Sequence, residues 1–204
     1  LNGHGPEVPY DPTADLKTQV RQSIERSLEH LQCDYVDSYL LHGPYSYPSL
    51  GPEDWEVWGE IEEIFRSGRA KRIGISNVNP LQLTELIERA KVPPMVVQNR
   101  CFARSGWDQE VRKICQAHGI IYQGFSLLTA NPFVVDDPRV RQIAKKLSAT
   151  PEQIIFRFAV KTGMVPLTGT TSERHMKEDL AVQTLELPAK DVRMLESIAT
   201  PGTK

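Results

Sequence analysis

The 204-residue sequence predicts an α/β fold built on a parallel sheet. Short apolar segments of strand-like composition alternate five times with longer segments in which apolar residues recur at helical spacing. Such alternation is typical of βα units, whose strands form either a doubly wound sheet or a closed (β/α)8 barrel. In both architectures the functional side chains follow the carboxyl ends of the strands. No repeat, low-complexity segment or linker interrupts the chain, so we interpret residues 1–204 as one domain.

The predicted helices have residues at their ends that favour helix starts and stops. The first, over 13–32, can begin at Thr13 or Asp15, both of which are suited to cap a helix. The second opens after Gly51 with a proline and ends at Gly68, because proline favours the first turn and glycine the position after the last. Further helices are predicted over 79–90, 108–119, about 138–147, 150–163, 172–182 and 189–199.

The predicted strands are short apolar segments between these helices. They cover about 35–41, then "KRIGIS" (71–76), "PMVVQN" (94–99), "IIYQGFS" (120–126) and "MVPLTG" (164–169). Each is bounded by turn residues or by the start of a helix, as buried parallel strands are.

Composition and charge are those of a globular protein: 40% of the residues are hydrophobic, 25% are charged and the net charge is −2. This charge favours neither nucleic acid nor an anionic membrane as a partner. No apolar run approaches the ~18 residues of a membrane helix, and no signal-peptide pattern is seen. Cys33, Cys101 and Cys115 are too few and too scattered for a metal site or a disulfide framework, and three thiols fit a reducing cytoplasm. We therefore expect a cytoplasmic protein that binds no metal.

Polar side chains lie at the end of every predicted strand or directly after it. They are His42; Ser76 and Asn77; Gln98 and Asn99; Ser126, after Phe125; and the run from Thr168 to Thr171. The set contains no acid pair for glycoside hydrolysis, no metal-ligand cluster, no Ser-His-Asp order and no glycine-rich phosphate loop. It offers neutral donors and acceptors and one imidazole. That composition suits binding a polar cofactor and orienting a carbonyl group better than hydrolysis.

His42 ends the segment "DYVDSYLLHGP". It shares a strand face with Val36, Ser38 and Leu40, which would direct it to the mouth of a barrel. A neutral imidazole can donate a hydrogen bond to a carbonyl oxygen and titrates near neutral pH. A strand-end histidine can also be hydrogen-bonded for stability alone, and the residues themselves leave that alternative open.

Five segments in order resemble motifs of the aldo-keto reductase superfamily: "LQCDYVDSYLLHGP", "GRAKRIGISN", "VVQN", "GFSLL" and "PLTGTTSERHMKEDL". Together they span nearly the whole chain. The resemblance implies a (β/α)8 barrel that binds an extended nicotinamide dinucleotide, usually NADPH, without a Rossmann fold. It also implies hydride transfer to a small aldehyde or ketone.

The resemblance assigns a role to each matching strand-end residue. His42 matches the histidine that orients the substrate carbonyl, and Ser76, Asn77 and Gln98 match the residues that hold the nicotinamide carboxamide. Hydroxyl and amide side chains suit that group, which presents one acceptor and two donors. Ser76 and Asn77 could instead serve to cap the next helix.

Phe125 stands where the family has a tyrosine that stacks on the nicotinamide ring. Stacking needs only the flat face of an aromatic ring, so a phenylalanine can provide it. An ordinary core role is the alternative. By the same resemblance, Ser126 and Leu128 lie in the stretch that lines the pyrophosphate. Glu178 and Asp179 match adenine contacts, although two acids on an exposed helix are also commonly only solvated.

The last motif departs from the family pattern. Gly169 stands where many members have a lysine for the 2′-phosphate of NADP, and His175 stands where they have an arginine, with Arg174 one residue earlier. A fixed cation binds phosphate better than a mostly neutral imidazole. Backbone N–H groups of Gly169, Thr170 and Thr171 offer an alternative. We expect NADP(H) as the cofactor, with NAD(H) as the second option.

The superfamily places three further βα units, with a catalytic aspartate, tyrosine and lysine, ahead of the matching region. No residue here matches those roles, including Tyr10 and Lys17. We therefore expect an N-terminally truncated domain, an incomplete barrel of about five βα units plus a C-terminal helix, with little or no turnover. The alternatives are a non-catalytic, cofactor-binding regulatory subunit of the same fold and a doubly wound protein of another kind.

Candidate residues for an apolar substrate pocket are Tyr45, Tyr47, Trp55, Phe102 and Trp107.

Overall fold

The structure is a computed structural model that describes residues 8–199, and it confirms the α/β class. Its strands are β1 (Tyr39–Leu41), β2 (Ile73–Ser76), β3 (Val96–Arg100), β4 (Ile121–Phe125) and β5 (Met164–Pro166). They form one five-stranded sheet in the order β1-β2-β3-β4-β5, with β1 parallel to β2 and β4 parallel to β5. A doubly wound sheet reverses its strand order at a switch point, whereas a barrel keeps chain order. The order therefore excludes the doubly wound alternative and identifies an incomplete (β/α)8 barrel.

The helices of the described residues follow the predicted pattern. They are α1 (Leu16–Leu31), α2 (Pro52–Arg66), α3 (Pro80–Arg89), α4 (Gln109–Ala117), α5 (Pro132–Val135), α6 (Pro138–Lys146), α7 (Pro151–Lys161), α8 (Glu173–Ala181) and α9 (Ala189–Glu196). Two 3-10 helices cover 103–108 and 182–184. The sequence did not predict α5 or the 3-10 segments. No helix within residues 8–199 combines the length and apolar character needed to cross a membrane.

Side-chain caps fix where several helices begin. Asp15 caps α1 by accepting a hydrogen bond from the backbone N–H of Thr18, which settles the choice between Thr13 and Asp15. Asn79 begins α3 and Thr150 begins α7, each in a capping box with a glutamine three residues later and a proline in the first turn.

The chain packs as two compact units, each with its own apolar interior. One comprises the described part of Leu1–Val97 together with His118–Ile120; the other comprises Gln98–Ala117 and the described part of Ile121–Lys204. In the first unit, the core includes Ile24 of α1 and the apolar face of α2. In the second, α7 supplies Ile154, Ile155, Phe158 and Ala159.

Trp107 corrects one expectation for the substrate pocket. Its side chain is completely buried in the second unit, its ring lies 5.1 Å from that of Phe158, and its indole Nε1 donates to the carbonyl of Leu195 at 2.8 Å. A fully packed and hydrogen-bonded indole stabilises the core. Trp107 is therefore a structural residue.

Candidate active site

The ends of β1 and β2 bring three of the predicted residues together within the first unit. Leu41 pairs in register with Ile75, so His42 and Ser76 follow at the same level of the sheet. The side-chain Nδ2 of Asn77 donates to the backbone carbonyl of His42 at 2.8 Å and to Oγ of Ser76 at 3.1 Å. Asn77 has φ of +56°, a left-handed conformation that asparagine tolerates better than most residues. The two strand ends are therefore connected by one amide.

His42 lies on the wall of a cavity of about 470 Å³ in the first unit. The wall also includes Tyr39 and Tyr45, and burial raises the pKa of both phenols, so they remain neutral donors at physiological pH. A volume of this order lies in the range of small-molecule sites. Tyr45 therefore lines a cavity as a substrate-pocket residue would, whereas Tyr47 is 83% exposed.

A buried carboxylate holds the loop that follows β1. Asp54 is only 2% exposed, and its oxygens accept hydrogen bonds from the backbone N–H groups of Tyr45, Ser46 and Gly51 at 2.7, 3.2 and 2.9 Å. In addition, Nε2 of Gln82 donates to the carbonyl of Ser46 at 2.7 Å. The loop next to His42 is therefore fixed by polar contacts that the sequence did not reveal.

In the second unit, β3 and β4 present two pairs of side chains on one face. Nε2 of Gln98 donates to Oε1 of Gln123 at 2.9 Å. Two residues further on, Cζ of Arg100 lies 5.4 Å from the centroid of the Phe125 ring. Gln98 and Phe125, predicted to bind the nicotinamide, thus belong to adjacent pairs on this face. Sequence reasoning missed Arg100, although strand alternation places it on the same face as Gln98.

The intervening residue of β3 has a structural role. Asn99 is 5% exposed, and its Nδ2 donates to the Asp108 carboxylate at 2.8 Å. The same carboxylate accepts from the Tyr122 hydroxyl at 2.7 Å. Burial raises the pKa of Asp108 and that of Tyr122. This buried network belongs to the core rather than to an open site.

Ser126 and Leu128 lie in a tight turn directly after β4. Ser126 has φ of +57°, and its carbonyl accepts from the N–H of Ala130 at 3.0 Å. The carbonyl of Leu128 accepts from the N–H of Asn131 at 2.9 Å. Both predicted pyrophosphate residues are therefore held by backbone hydrogen bonds of the turn.

The polar groups of the loop after β5 form hydrogen bonds within the loop and with the start of α8. The Thr170 hydroxyl accepts from the N–H of Ser172 at 3.1 Å, and Ser172 in turn caps α8 by accepting from the N–H of His175 at 3.4 Å. Gly169 and Thr171 are exposed. A Cβ added at Gly169 would meet no atom within 4 Å, so a larger side chain fits there.

The charged residues of α8 pair with their neighbours. Nη2 of Arg174 lies 3.1 Å from Nε2 of His175, and Nη1 lies 3.7 Å from the Glu178 carboxylate. Because a guanidinium only donates, Nε2 of His175 is the acceptor in this contact. The Asp179 carboxylate accepts from the Thr168 hydroxyl at 2.9 Å. The structure thus places an arginine beside the predicted histidine.

Comparison with known proteins identifies the family. A model of the Aldo/keto reductase family matches residues 10–200. The chain belongs to this family. Prostaglandin F synthase 1 from Bos taurus is 28% identical over 206 residues, covering 88% of this chain and 64% of that protein. Aldo-keto reductase family 4 member C11 from Arabidopsis thaliana is 31% identical over 186 residues, covering 83% of this chain and 58% of that protein.

Solved structures agree with the incomplete-barrel fold. An aldo/keto reductase from Brucella melitensis superposes with a TM-score of 0.78 at 26% identity, covering 88% of this chain and 66% of that one. An aldo-keto reductase from a deep-sea metagenome library reaches a TM-score of 0.81 at 24% identity, covering 89% and 66%. The aldo/keto reductase chain thus spans less than two thirds of the curated relatives and about two thirds of the solved ones.

Among residues 8–199, no cluster of histidine, cysteine and acidic residues could hold a metal ion.

Proposed function

We propose that this chain binds a nicotinamide dinucleotide and orients a small aldehyde or ketone for reduction to an alcohol. The observation that carries the proposal is the Asn77 amide, which joins the His42 carbonyl to the Ser76 hydroxyl at the carboxyl ends of β1 and β2. This contact places the residue proposed for carbonyl orientation next to two residues proposed for the nicotinamide. When bound, the reduced nicotinamide would supply a hydride for the carbonyl carbon, while the carbonyl oxygen would receive a proton.

The donors and acceptors at this site suit a carboxamide. Both hydrogens of Asn77 Nδ2 are used within the protein, which leaves its Oδ1 to accept from the NH2 of the nicotinamide. Ser76 and Gln98 are also proposed to contact the carboxamide. His42 is exposed beside the cavity, where its imidazole can donate to a carbonyl oxygen.

The rest of the cofactor is proposed to follow the later strand ends. Phe125 stacks on the nicotinamide, Ser126 and Leu128 line the pyrophosphate, and Glu178 and Asp179 contact the adenine. Arg174 supports a preference for NADP(H) over NAD(H), because its guanidinium lies beside His175 and can bind a phosphate oxygen. Gly169, Thr170 and Thr171 are proposed to contribute backbone N–H groups that bind the same phosphate.

Turnover by this chain alone is proposed to be slow or absent. None of the residues in the sequence matches the family's proton-donating tyrosine or the aspartate and lysine that tune it. A cytoplasmic location remains a prediction, which the free thiols of Cys33, Cys101 and Cys115 support.

The test is a titration with NADPH and NADH followed by calorimetry, together with an assay of aldehyde reduction. We expect saturable binding with NADPH tighter than NADH. Asn77→Gly, which keeps the left-handed backbone and removes the amide, should weaken NADPH binding about fivefold, the size of one hydrogen bond. In the whole protein, His42→Ala should leave binding within about twofold but reduce turnover about 100-fold, as expected for proton-transfer or orienting groups.

His30→Ala is the matched control, because His30 is exposed on α1 of the same unit. Absence of binding by the wild-type chain would contradict the proposed function. Tight binding without reduction by the whole protein would instead favour the regulatory subunit. Equal effects of His42→Ala and His30→Ala would remove the assigned role of His42.

A further inference from the structure

Helix α8 has almost no apolar packing of its own. None of its nine residues is buried, and its two large apolar side chains, Met176 and Leu180, are 46% and 75% exposed. The first buried side chain after the helix is that of Val182. Helices of globular proteins are normally fixed by an apolar face. The position of α8 therefore depends on its polar contacts.

One of these contacts comes from a glutamine of α7, in the same unit. Nε2 of Gln153 donates to the backbone carbonyl of Glu178 at 2.9 Å. Glu178 provides one of the last four carbonyls of α8, which lack a regular donor within the helix. The N–H of Val182 donates to the carbonyls of Asp179 and Leu180 instead. The Gln153 amide therefore completes the last turn of α8 and attaches it to α7.

One turn further along α7, Arg157 contacts the chain just after α8. Its Nη1 donates to the backbone carbonyl of Gln183 at 2.9 Å, although the side chain is only 7% exposed. No carboxylate within residues 8–199 forms an ion pair with Arg157, and its Nε has no hydrogen-bond partner there. Burying such a cation is unfavourable, and the contact with Gln183 offsets part of that cost.

Gln153 also forms the capping box at the start of α7. Its Oε1 accepts from the backbone N–H of Thr150 at 3.0 Å, while Oγ1 of Thr150 accepts from the backbone N–H of Gln153 at 3.2 Å. The capping box uses the acceptor of the Gln153 side chain, and the contact with Glu178 uses its donor. One side chain therefore connects the start of α7 to the end of α8.

The first unit contains the same arrangement. Gln82 closes the capping box of α3 with Asn79, and its Nε2 donates to the Ser46 carbonyl in the loop after β1 at 2.7 Å. The two sequences are "NPLQ" and "TPEQ", with the cap first, proline next and glutamine last. In each unit, a capping glutamine thus fixes a backbone segment next to residues of the proposed site.

We propose that Gln153 is a positioning residue for the cofactor, because it fixes the backbone of α8. The inference rests on the proposed function, which assigns Arg174 of this helix to the 2′-phosphate and Glu178 and Asp179 to the adenine. Gln153 itself would not contact the cofactor. The exposed side chains of α8 can rearrange around a ligand, but the backbone that carries them is held by α7. Loss of the contact would therefore weaken binding of the adenine end of the cofactor.

Gln153→Glu separates the two contacts of this side chain. An ionised glutamate can still accept from the Thr150 N–H, but it has no donor for the Glu178 carbonyl. At pH 7, hydrogen exchange should be about tenfold faster at the amides of 177–182 than in the wild-type chain, the scale of one hydrogen bond. Calorimetry should show about fivefold weaker binding of adenosine 2′,5′-bisphosphate, which carries the adenine and the 2′-phosphate but no nicotinamide.

The pH dependence of exchange distinguishes a lost donor from general destabilisation. A protonated carboxyl group offers one O–H donor and one acceptor, as the amide does, so it can restore the contact with Glu178. The ratio of exchange rates, variant to wild type, should therefore fall from about ten at pH 7 towards one below about pH 4.3, the ordinary pKa of glutamate. A ratio that stays the same across this range overturns the inference.

Two variants serve as controls. Gln183→Glu adds the same negative charge just after α8 at an exposed side chain and keeps the Gln183 carbonyl, so exchange in α8 and affinity for adenosine 2′,5′-bisphosphate should stay within about twofold. Gln82→Glu makes the same chemical change in the first unit. It should speed exchange in the loop after β1 and leave both α8 and the affinity unchanged.

The remaining outcomes separate this inference from the proposed function. Unchanged exchange in α8 of Gln153→Glu overturns the inference. Faster exchange with unchanged affinity for adenosine 2′,5′-bisphosphate also overturns it, as does an equal loss of affinity in Gln183→Glu. Failure of the wild-type chain to bind adenosine 2′,5′-bisphosphate contradicts the proposed function instead. In that case the exchange rates, measured without ligand, still decide whether Gln153 holds α8.

Discussion

The loop after β1 is held by the buried Asp54 carboxylate, whereas the loop after β5 is held by exposed contacts. In the first region, Ser76 and Asp54 are buried, and the Asn77 amide joins two strand ends. In the second, Arg174 and His175 are exposed and contact each other on the surface of α8. Exposed pairs contribute about 0–1 kcal/mol, whereas loss of a buried acceptor leaves donors that water cannot reach.

This difference suggests that the two regions have different roles in binding the proposed cofactor. Orienting a carbonyl and a nicotinamide requires positions that do not change on binding, because small displacements reduce the rate strongly. Phosphate and adenine need only be bound, and exposed side chains can rearrange around them. The first region is therefore expected to be sensitive to changes that disturb its geometry, and the second to changes in charge.

The largest expected effect is in the first region, at Asp54. Asp54→Ala leaves three backbone donors of the loop after β1 without their acceptor. We expect the free energy of unfolding to fall by about 3 kcal/mol, the scale of losing several buried hydrogen bonds. Urea unfolding followed by circular dichroism measures this change.

The control for Asp54 is Asp37→Ala, because the Asp37 side chain is 77% exposed and makes only a 3.5 Å contact with Lys71. That variant should change the free energy of unfolding by no more than about 0.5 kcal/mol. A similar small change for Asp54→Ala would show that the first region is not held as described, and the comparison would fail.

An intermediate effect is expected from adding a charge after β5. Gly169→Lys should raise the preference for NADPH over NADH about tenfold, because a lysine there would add a charge-assisted contact to the 2′-phosphate. The site has room, since a Cβ at Gly169 meets no atom within 4 Å. Competitive titration with the two cofactors measures the ratio.

Gly59→Lys adds the same charge on α2 of the first unit, where a Cβ also meets no atom within 4 Å. It should leave the cofactor ratio unchanged. If both lysine variants shift the ratio equally, the effect is one of net charge, and the assignment of Gly169 to the phosphate region is wrong.

The smallest effect is expected at Thr168. Thr168→Val removes the hydroxyl that donates to Asp179, a contact at the surface of the second unit. The free energy of unfolding should change by about 0.5 kcal/mol or less, since water can replace an exposed hydrogen bond. Thermal unfolding measures it, with Thr184→Val as a matched exposed control. A loss above about 1.5 kcal/mol would mean that the loop after β5 is as firmly held as the loop after β1.

The sequence was sufficient to predict the five strands and most helices. These features depend on near neighbours: apolar periodicity selects the element, and Asn79 or Thr150 satisfies backbone donors within its own first turn. The segment over 103–108 was missed because it is short and contains left-handed residues at Gly106 and Trp107. Its composition resembles a loop, and its shape depends on the core around Trp107.

By itself, the sequence determined the βα order and the family, although Gln98 and Asn99, predicted to follow β3, lie within it. Tertiary structure alone decided how these residues are held. It buried Trp107, placed Arg100 over Phe125, and joined Asn77 to His42 across 35 positions of the chain. The physical reason is that local patterns fix backbone conformation, whereas the partner of a side chain depends on strand register and on which groups packing removes from water.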